Sequence, residues 1–439
     1  MRQSLDPLTA LRGCAPAGRR RGGRWAAGLL VGVALLASSC TCSRPPVDGP
    51  PNVVLIVVDT LRADHLGLYG YERATSPALD AWADDAMVFD RAYSHAPWTK
   101  PSIASLLTSR LPRDHGVHDW DHALDPDLDT LQGALKTAGY RTEAYVSHHA
   151  LDPKWNNFHH GFDVYDTSAY EGRGSPHHIS SSARVANATI EALDRLQWEP
   201  PFFLWAHFFD PHDTYLDHPK HDFGDADIDR YDSEIAFTDR NIGRILDHLE
   251  ATGLSHRTVV AFTADHGEGF GAHGYNLHTV ALYDELIRVP LVVRGPGLAA
   301  GRSDRTVGHV DLAPTLLDLV GVAAPSGFTG SPWPVTDGVL QPLEDRTVLG
   351  ETRRYADLRS LVKGRWKVID DRRAGVTEVY DIPADPDETR DRAGRAPAAD
   401  PLVKALAEAY AAPEEAPTVR KMGEEEREVL QALGYLEPD

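Results

Sequence analysis

The sequence predicts an α/β protein: a large, mostly parallel sheet flanked by helices, then a small antiparallel sheet carrying one helix. Three observations carry this expectation. Apolar runs such as VVLIVV at 53–58 are continuous, as in strands buried on both faces of a parallel sheet. Segments with helical spacing and helix-stop signals separate these runs. After about residue 345 the texture changes to short strand-like pieces.

In chain order, the run at 53–58 ends at Asp59. Ser76-Pro77 is an N-cap followed by proline in the first helical position, opening a helix to about Ala86. Thr130 to Ala138 is helical and stopped by Gly139; Thr142 to Val146 is a strand. Ser180 to Leu196 is helical, and FFLWAHFF from Phe202 is a strand. Ile228, Tyr231, Ile235, Ile242, Ile245 and Leu249 recur at helical spacing over 227–251, and Gly253 closes that helix. Thr258 to Thr263 is another buried strand. The α/β domain spans 52–340. TVLGE at 347, LRSLVKG at 358, WKVID at 366 and EVYDI at 378 then form the small sheet, with a helix from Asp400 to Ala411, in a subdomain over 341–411. Residues 412–439 are an acidic tail with a short helical pattern ending in Leu430, Leu433 and Tyr435.

The 439 residues carry 44 Lys and Arg against 65 Asp and Glu, a net charge of −21. The first 39 residues hold six Arg and one Asp, so 38 basic and 64 acidic residues remain, a balance of −26. Such a surface argues against nucleic acid as a partner, because phosphate-backbone binding needs a net basic face. It leaves room for an anionic ester substrate, since a metal ion or a few local cations can dominate inside a cleft. Arg19, Arg20, Arg21 and Arg24 precede the apolar run Trp25 to Ala37, which is too short to span a membrane. Charge, short apolar stretch and small residues read as a secretory signal over 1–39. The signal resembles that of bacterial lipoproteins, with Cys40 as the lipidated first residue of an exported, membrane-attached chain. Residues 40–51 are a Pro-rich tether. Cys14, Cys40 and Cys42 are the three cysteines, so the folded body has no disulfide framework and no thiol nucleophile.

Three polar clusters fall at the carboxyl ends of buried strands: Asp59, then His207, Asp210 and His212, then Asp265 and His266. Ligands in open α/β sheets bind outside those strand ends. A fourth element is Trp98-Thr99-Lys100-Pro101-Ser102, where Pro101 marks a helix start and Thr99 sits at its N-terminal edge. Two carboxylates, an imidazole and a hydroxyl make a single-metal site of Asp59, Thr99, Asp265 and His266. A divalent ion there lowers the hydroxyl pKa and makes Thr99 a nucleophile. His149, His212 and His278 are placed to hold the substrate oxyanion, and His212 or His278 to protonate the leaving group.

The motifs NVVLIVVDTLRADHLGLYGY, TKPSIASLLTSRLPRDHGV, FFLWAHFFDPHDTY, FTADHGEGFGAHG and WKVIDDRRAGVTEVYDIPADPDETRD run in order from 52 to about 395. Together they resemble the sulfatase family of the alkaline phosphatase superfamily. The resemblance implies a metal-dependent ester hydrolase in which Asp59, Asp265 and His266 bind metal. It places Thr99 at the nucleophile, His212 and His278 at positions that bind the transferred anion, and His149 at an active-site histidine. Glu268, His273 and His309 lie inside matching motifs, in supporting or structural roles. His115, His118 and His122 read as turn and surface residues.

The chain departs from the family where sulfate esters are cleaved. The family's Cys-x-Pro-Ser-Arg becomes Thr99-Lys100-Pro101-Ser102-Ile103, so no formylglycine forms. Ser147 stands where those enzymes carry Lys, Thr60 replaces an Asp and His266 replaces an Asn. Fewer carboxylates and one imidazole favour Mn²⁺ or Zn²⁺ over Ca²⁺ or Mg²⁺. The expected activity is hydrolysis of sulfate or phosphate esters, including phosphodiesters, through a covalent Thr99 ester. The alternatives are transfer of a phospho-headgroup to envelope glycan or lipid, and a binding lipoprotein with a dead site.

Overall fold

The computed structural model describes residues 49–170, 180–198, 201–344 and 346–432. The signal over 1–39, Cys40 and most of the tether lie outside these residues, as do Leu433 and Tyr435.

The strands of the large sheet are β1 (Asn52–Val58), β2 (Met87–Tyr93), β3 (Arg141–Val146), β4 (Val164–Asp166), β5 (Phe202–Phe208), β6 (Thr258–Ala264), β7 (Leu291–Arg294) and β8 (Gly301–Gly308). Their order across the sheet is β2-β7-β6-β1-β5-β3-β4, with Arg288–Val289 and β8 both paired to β2. The half from β6 to β4 is parallel throughout. β1 lies between β6 and β5, and Val53 to Val58 are completely buried, which is why that run carries no polar residue. The sheet is mixed beyond β6, because β7 runs antiparallel to both β6 and β2. The chain returns from the β6 end through a loop rather than a crossover helix, so its next strand points the other way.

The flanking helices are α1 (Pro77–Ala83), α2 (Thr99–Thr108), α3 (Leu131–Thr137), α4 (Ser182–Leu196), α5 (Asp227–Thr252) and α6 (Leu312–Leu319). Thr130 caps α3 by accepting from the Gly133 N–H at 3.1 Å. α5 ends at Gly253, whose φ of 72° needs a residue without a Cβ. α1 differs from expectation. It stops at Ala83, and Ser76 does not cap it but donates to Asp80 at 2.8 Å. Its free N–H groups at Ala78 and Leu79 go to Asp239 of α5, at 3.0 and 2.9 Å. A carboxylate from a neighbouring helix does what the local serine was expected to do.

The four pieces after 345 form an antiparallel sheet: β9 (Thr347–Thr352), β10 (Leu358–Lys363), β11 (Trp366–Asp371) and β12 (Val376–Asp381). α7 (Asp400–Ala409) covers it, packing Leu406 against Leu361, Val368 and Val379. The acidic tail packs against the body. Thr418–Val419 pairs with His122–Ala123, and α8 (Glu424–Ala432) buries Leu430 against Trp98, Trp120 and Ala150. This cover corrects the surface reading of the nearby histidines. His115 and His118 are buried, and His115 Nε2 is 3.1 Å from Ser105 Oγ. Among the described residues no helix is long and apolar enough to cross a membrane.

Candidate active site

The register of the three central strands assembles the site. Val58 pairs with Ala264 on one side and Phe208 on the other, so Asp59 and Asp265 leave adjacent strand ends together. The Asp59 N–H bonds to the Phe208 carbonyl at 2.8 Å, and the Asp265 N–H reaches the Val58 carbonyl at 3.3 Å. Thr60, in the left-handed region at φ 53°, turns its N–H onto Asp265 Oδ1 at 3.3 Å. Backbone strain at a ligand-bearing strand end fixes the carboxylate it touches.

Thr99 is the first residue of α2 and is nearly fully buried. Its Oγ1 lies 3.4 Å from His266 Nε2. That nitrogen is 3.4 Å from Asp59 Oδ1 and 3.6 Å from Asp265 Oδ2. Tetrahedral ligands bound at about 2.0–2.1 Å stand roughly 3.3–3.4 Å apart, so these spacings suit a small divalent ion. The His266 Nδ1 hydrogen goes to the Gly267 carbonyl at 2.9 Å, which leaves the Nε2 lone pair facing the carboxylates. Asp59, Thr99, Asp265 and His266, the residues expected from sequence, are therefore brought together.

The electrostatics agree with a cation here. Burial, then the neighbouring Asp265 and Glu268 carboxylates, hold Asp59 well above the ordinary carboxylate range. Burial pushes Asp265 up to about 7 and holds His266 well below the usual imidazole range. Both Asp59 oxygens and Asp265 Oδ2 are buried without a hydrogen-bond partner among the described residues. Crowded carboxylates beside neutral imidazoles are a donor set that a divalent cation satisfies.

Two further histidines reach Asp59. His207 Nε2 is 4.0 Å from Asp59 Oδ2, and the ligand atoms of Asp59, His207 and Asp265 lie within 4.8 Å of one another. Burial lowers His207 to about 3, so it too is a neutral donor. His148 Nε2 is 3.3 Å from Asp59 Oδ2, and Asp59, His148 and His212 form a second close group. His148 is unsuited to a metal. Its Nδ1 accepts the Ala150 N–H at 2.8 Å, so the proton sits on Nε2 and the ring offers a donor there.

His149, expected at the substrate, does not line the cavity. The His149 ring stacks between Trp120 and His148, and it is His148 that lines the cavity above Thr99. The Ala150 N–H captures one ring of a His-His pair, a choice that sequence alone leaves open. His212 and His278 do line the cavity, with their rings 4.9 Å apart. His212 donates its Nδ1 hydrogen to the Asp213 carbonyl at 2.6 Å, and His278 Nδ1 is 3.1 Å from Glu268 Oε1. These contacts fix the orientation of both rings.

The supporting residues separate. Glu268 contacts His278 and does not itself line the cavity. His273 stacks on Tyr283 at 3.7 Å and meets Glu285, and His309 is buried against Thr263; neither lines the cavity. Asp210 caps α4 through Ser181 and Ser182 at 2.6 and 2.9 Å. Ser147 donates to the His207 carbonyl at 2.8 Å. Sequence reasoning missed Trp98, Trp120, Arg354 and Tyr355 as residues that line the cavity. Trp98 adjoins Thr99 and was findable; Arg354 comes from the distant small sheet and was not.

The sulfatase family profile matches residues 51–322, and the profile described as N-sulphoglucosamine sulphohydrolase, C-terminal, matches 271–413. The chain is 29% identical over 333 residues to N-acetylgalactosamine-6-sulfatase of Canis lupus familiaris, covering 63% of this chain and 63% of the relative's length. It is 25% identical over 426 residues to choline-sulfatase of Rhizobium meliloti, covering 77% and 81%. The crystal structure of Ps i-CgsB superimposes with a TM-score of 0.70 at 18% identity, over 87% of this chain and 97% of that one. BT4656 in complex with D-glucosamine-2-N,6-O-disulfate gives a TM-score of 0.70 at 21% identity, over 82% and 96%. With its parallel strand ends, its buried Asp and His cluster and a matched span of more than half its length, the chain belongs to the sulfatase family of the alkaline phosphatase superfamily.

Proposed function

We propose that this protein is a metal-dependent hydrolase of sulfate or phosphate esters that uses Thr99 as its nucleophile. The observation that carries the reading is the convergence of Thr99 Oγ1, Asp59 Oδ1 and Asp265 Oδ2 on His266 Nε2 at 3.4–3.6 Å. Asp59, Asp265, His266 and Thr99 would hold a divalent cation, with His207 as a further donor. The donor set of two carboxylates and imidazoles favours Mn²⁺ or Zn²⁺. Such an ion supplies positive charge that lowers the pKa of the Thr99 hydroxyl.

The chain's own residues do the rest. The N-terminal end of α2 favours negative charge on Thr99 Oγ1. Deprotonated Oγ1 forms a bond to sulfur or phosphorus, and the bond from that atom to the alcohol oxygen breaks. The electron pair leaves with the alcohol oxygen, which takes a proton from Nε2 of an imidazolium His278 whose Nδ1–H is held by Glu268. His148 Nε2–H donates a hydrogen bond to an oxygen of the group in transfer. A water then gives a proton back to His278 and attacks the Thr99 ester, freeing the acid and restoring the nucleophile. The export signal and Cys40 support an exported, lipid-anchored enzyme.

The test compares an aryl sulfate, an aryl phosphate diester and an aryl phosphonate monoester, each with Mn²⁺, Zn²⁺ or Ca²⁺. Metal-dependent cleavage of at least one ester, abolished in Thr99→Ala, is expected. Unchanged rates in Thr99→Ala, or after metal removal, would overturn the reading.

A further inference from the structure

The two oxygens of Asp265 are in different states. Its Oδ1 accepts the His266 N–H at 2.8 Å and the Thr60 N–H at 3.3 Å, which uses both lone pairs of that atom. Its Oδ2 is buried with no hydrogen-bond partner among the described residues and lies 3.6 Å from His266 Nε2. The Thr60 N–H thus helps decide how this carboxylate presents itself. Thr60 reaches Oδ1 from a backbone in the left-handed region, at φ 53°, an uncommon conformation for a β-branched residue. Such a conformation persists where surrounding contacts impose it.

One such contact comes from α5. Helical spacing puts Tyr231 on the buried face of that helix, and its side chain is completely enclosed. Its hydroxyl donates to the Thr60 carbonyl at 2.7 Å and accepts the Arg62 N–H at 2.9 Å, so one phenol closes the turn of residues 60–62. Thr60 Oγ1 donates to the Asp59 carbonyl at 2.8 Å, a bond between neighbours that leaves the Thr60 N–H and carbonyl to the contacts above. The phenol links this turn to a 26-residue helix. Its ring is itself held by Tyr215, Phe270 and His65, at centroid distances of 5.7, 5.0 and 5.1 Å.

We infer that Tyr231 is a positioning residue that sets the metal preference of the site. It rests on the proposed metal-dependent hydrolysis, in that the ion itself belongs to that reading. Tyr231 holds Thr60 at positive φ, Thr60 holds Asp265 Oδ1, and Asp265 is left to bind through Oδ2 alone. A carboxylate restricted to one oxygen suits Zn²⁺, which takes few ligands at short range. Ca²⁺ takes roughly six to eight oxygens and gains from carboxylates that give both. Without the phenol the turn relaxes and Oδ1 is released. Zn²⁺ then loses a fixed ligand, whereas Ca²⁺ gains a second oxygen that offsets the loss of order.

Tyr231→Phe tests this, because it removes the hydroxyl and keeps the ring. Tyr140→Phe is the control: Tyr140 is also buried, and its hydroxyl donates to the Pro51 carbonyl at 2.9 Å, at the opposite end of β1. Zn²⁺ and Ca²⁺ binding is measured by calorimetry in metal-stripped wild type and in both variants, well below the melting temperature of each. Wild type should bind Zn²⁺ more tightly than Ca²⁺. Tyr231→Phe should weaken Zn²⁺ about 10–100-fold, the usual effect of losing a group that orients a ligand, and Ca²⁺ less than about threefold. Tyr140→Phe should change neither affinity by more than about threefold, although both variants melt below wild type. Thr60→Gly added to Tyr231→Phe should recover part of the Zn²⁺ affinity, because glycine takes this φ without steric cost. Equal weakening of both ions, weakening matched by Tyr140→Phe, no recovery with Thr60→Gly, or a wild type that prefers Ca²⁺ would overturn the inference. Wild type that binds neither ion sinks the metal-dependent reading and the inference together. Wild type that binds Zn²⁺, with no change in Tyr231→Phe, sinks the inference alone.

Discussion

His278 and Glu268 are bound to each other, Nδ1 to Oε1 at 3.1 Å, with Glu268 fully buried behind the ring. The pair fixes which imidazole nitrogen meets the departing alcohol. Glu268→Gln is therefore expected to lower kcat by about 10–100-fold while metal content stays unchanged. The loss should be larger for esters of poorly departing alcohols than for nitrophenyl esters, which need little proton donation. Equal loss on both leaving groups would argue against His278 as the acid.

Asp59 carries the electrostatic cost of the site, because it is buried beside two other carboxylates. Asp59→Asn should abolish binding of Mn²⁺ or Zn²⁺ while raising the metal-free melting temperature by roughly 2–4 °C, equivalent to about 1 kcal/mol. Differential scanning of wild type and variant, with and without metal, checks both halves of this expectation. A metal-dependent rise in melting temperature should be seen in the wild type alone.

Leu430 fills the space behind the Trp98–Trp120 wall. Leu430→Ala should destabilise the protein by about 2–5 kcal/mol by leaving a cavity. Because those two indoles line the cavity, KM should also rise on substrates of full size, with a smaller change for an aryl ester. Denaturant unfolding and steady-state kinetics measure the two effects separately.

His95 gives the stability a defined acid limb. Its Nδ1 hydrogen goes to the Leu349 carbonyl at 2.6 Å and its Nε2 accepts the Val310 N–H at 3.2 Å, so the buried ring is neutral. Burial lowers it to about 4 from an ordinary 6.5. The unfolded chain therefore binds the extra proton first. The stability owed to this neutral ring is complete above pH 6.5 and is lost as the pH falls through 4. The loss amounts to about 3 kcal/mol. Unfolding curves for wild type and His95→Asn at pH 6.5 and 4 should converge at the lower pH by about that amount.

The parts of the fold visible in the sequence are those where one local pattern suffices. VVLIVV could hardly be anything but a doubly buried strand, and Asp59 at its end was marked by the abrupt change of polarity. Asp265 and His266 were legible for the same reason, and Thr99 through the proline two residues later. What was hidden depends on contacts between distant segments. Asp239 capping α1, the Ala150 N–H deciding between His148 and His149, and Arg354 arriving from the small sheet leave no periodic trace. The docking of the tail was equally hidden, because it rests on Leu430, a two-residue strand and arginine contacts such as Arg113 to the Ala412 carbonyl and Arg353 to Glu414.

The strap formed by Thr418–Val419 and Leu430 also sets an order of events during biosynthesis. Residues 418–430 are made after every other part of the site, so a chain still emerging already has its strand ends and Thr99 but lacks the backing for Trp98 and Trp120. The cavity acquires its finished wall only once this segment has docked.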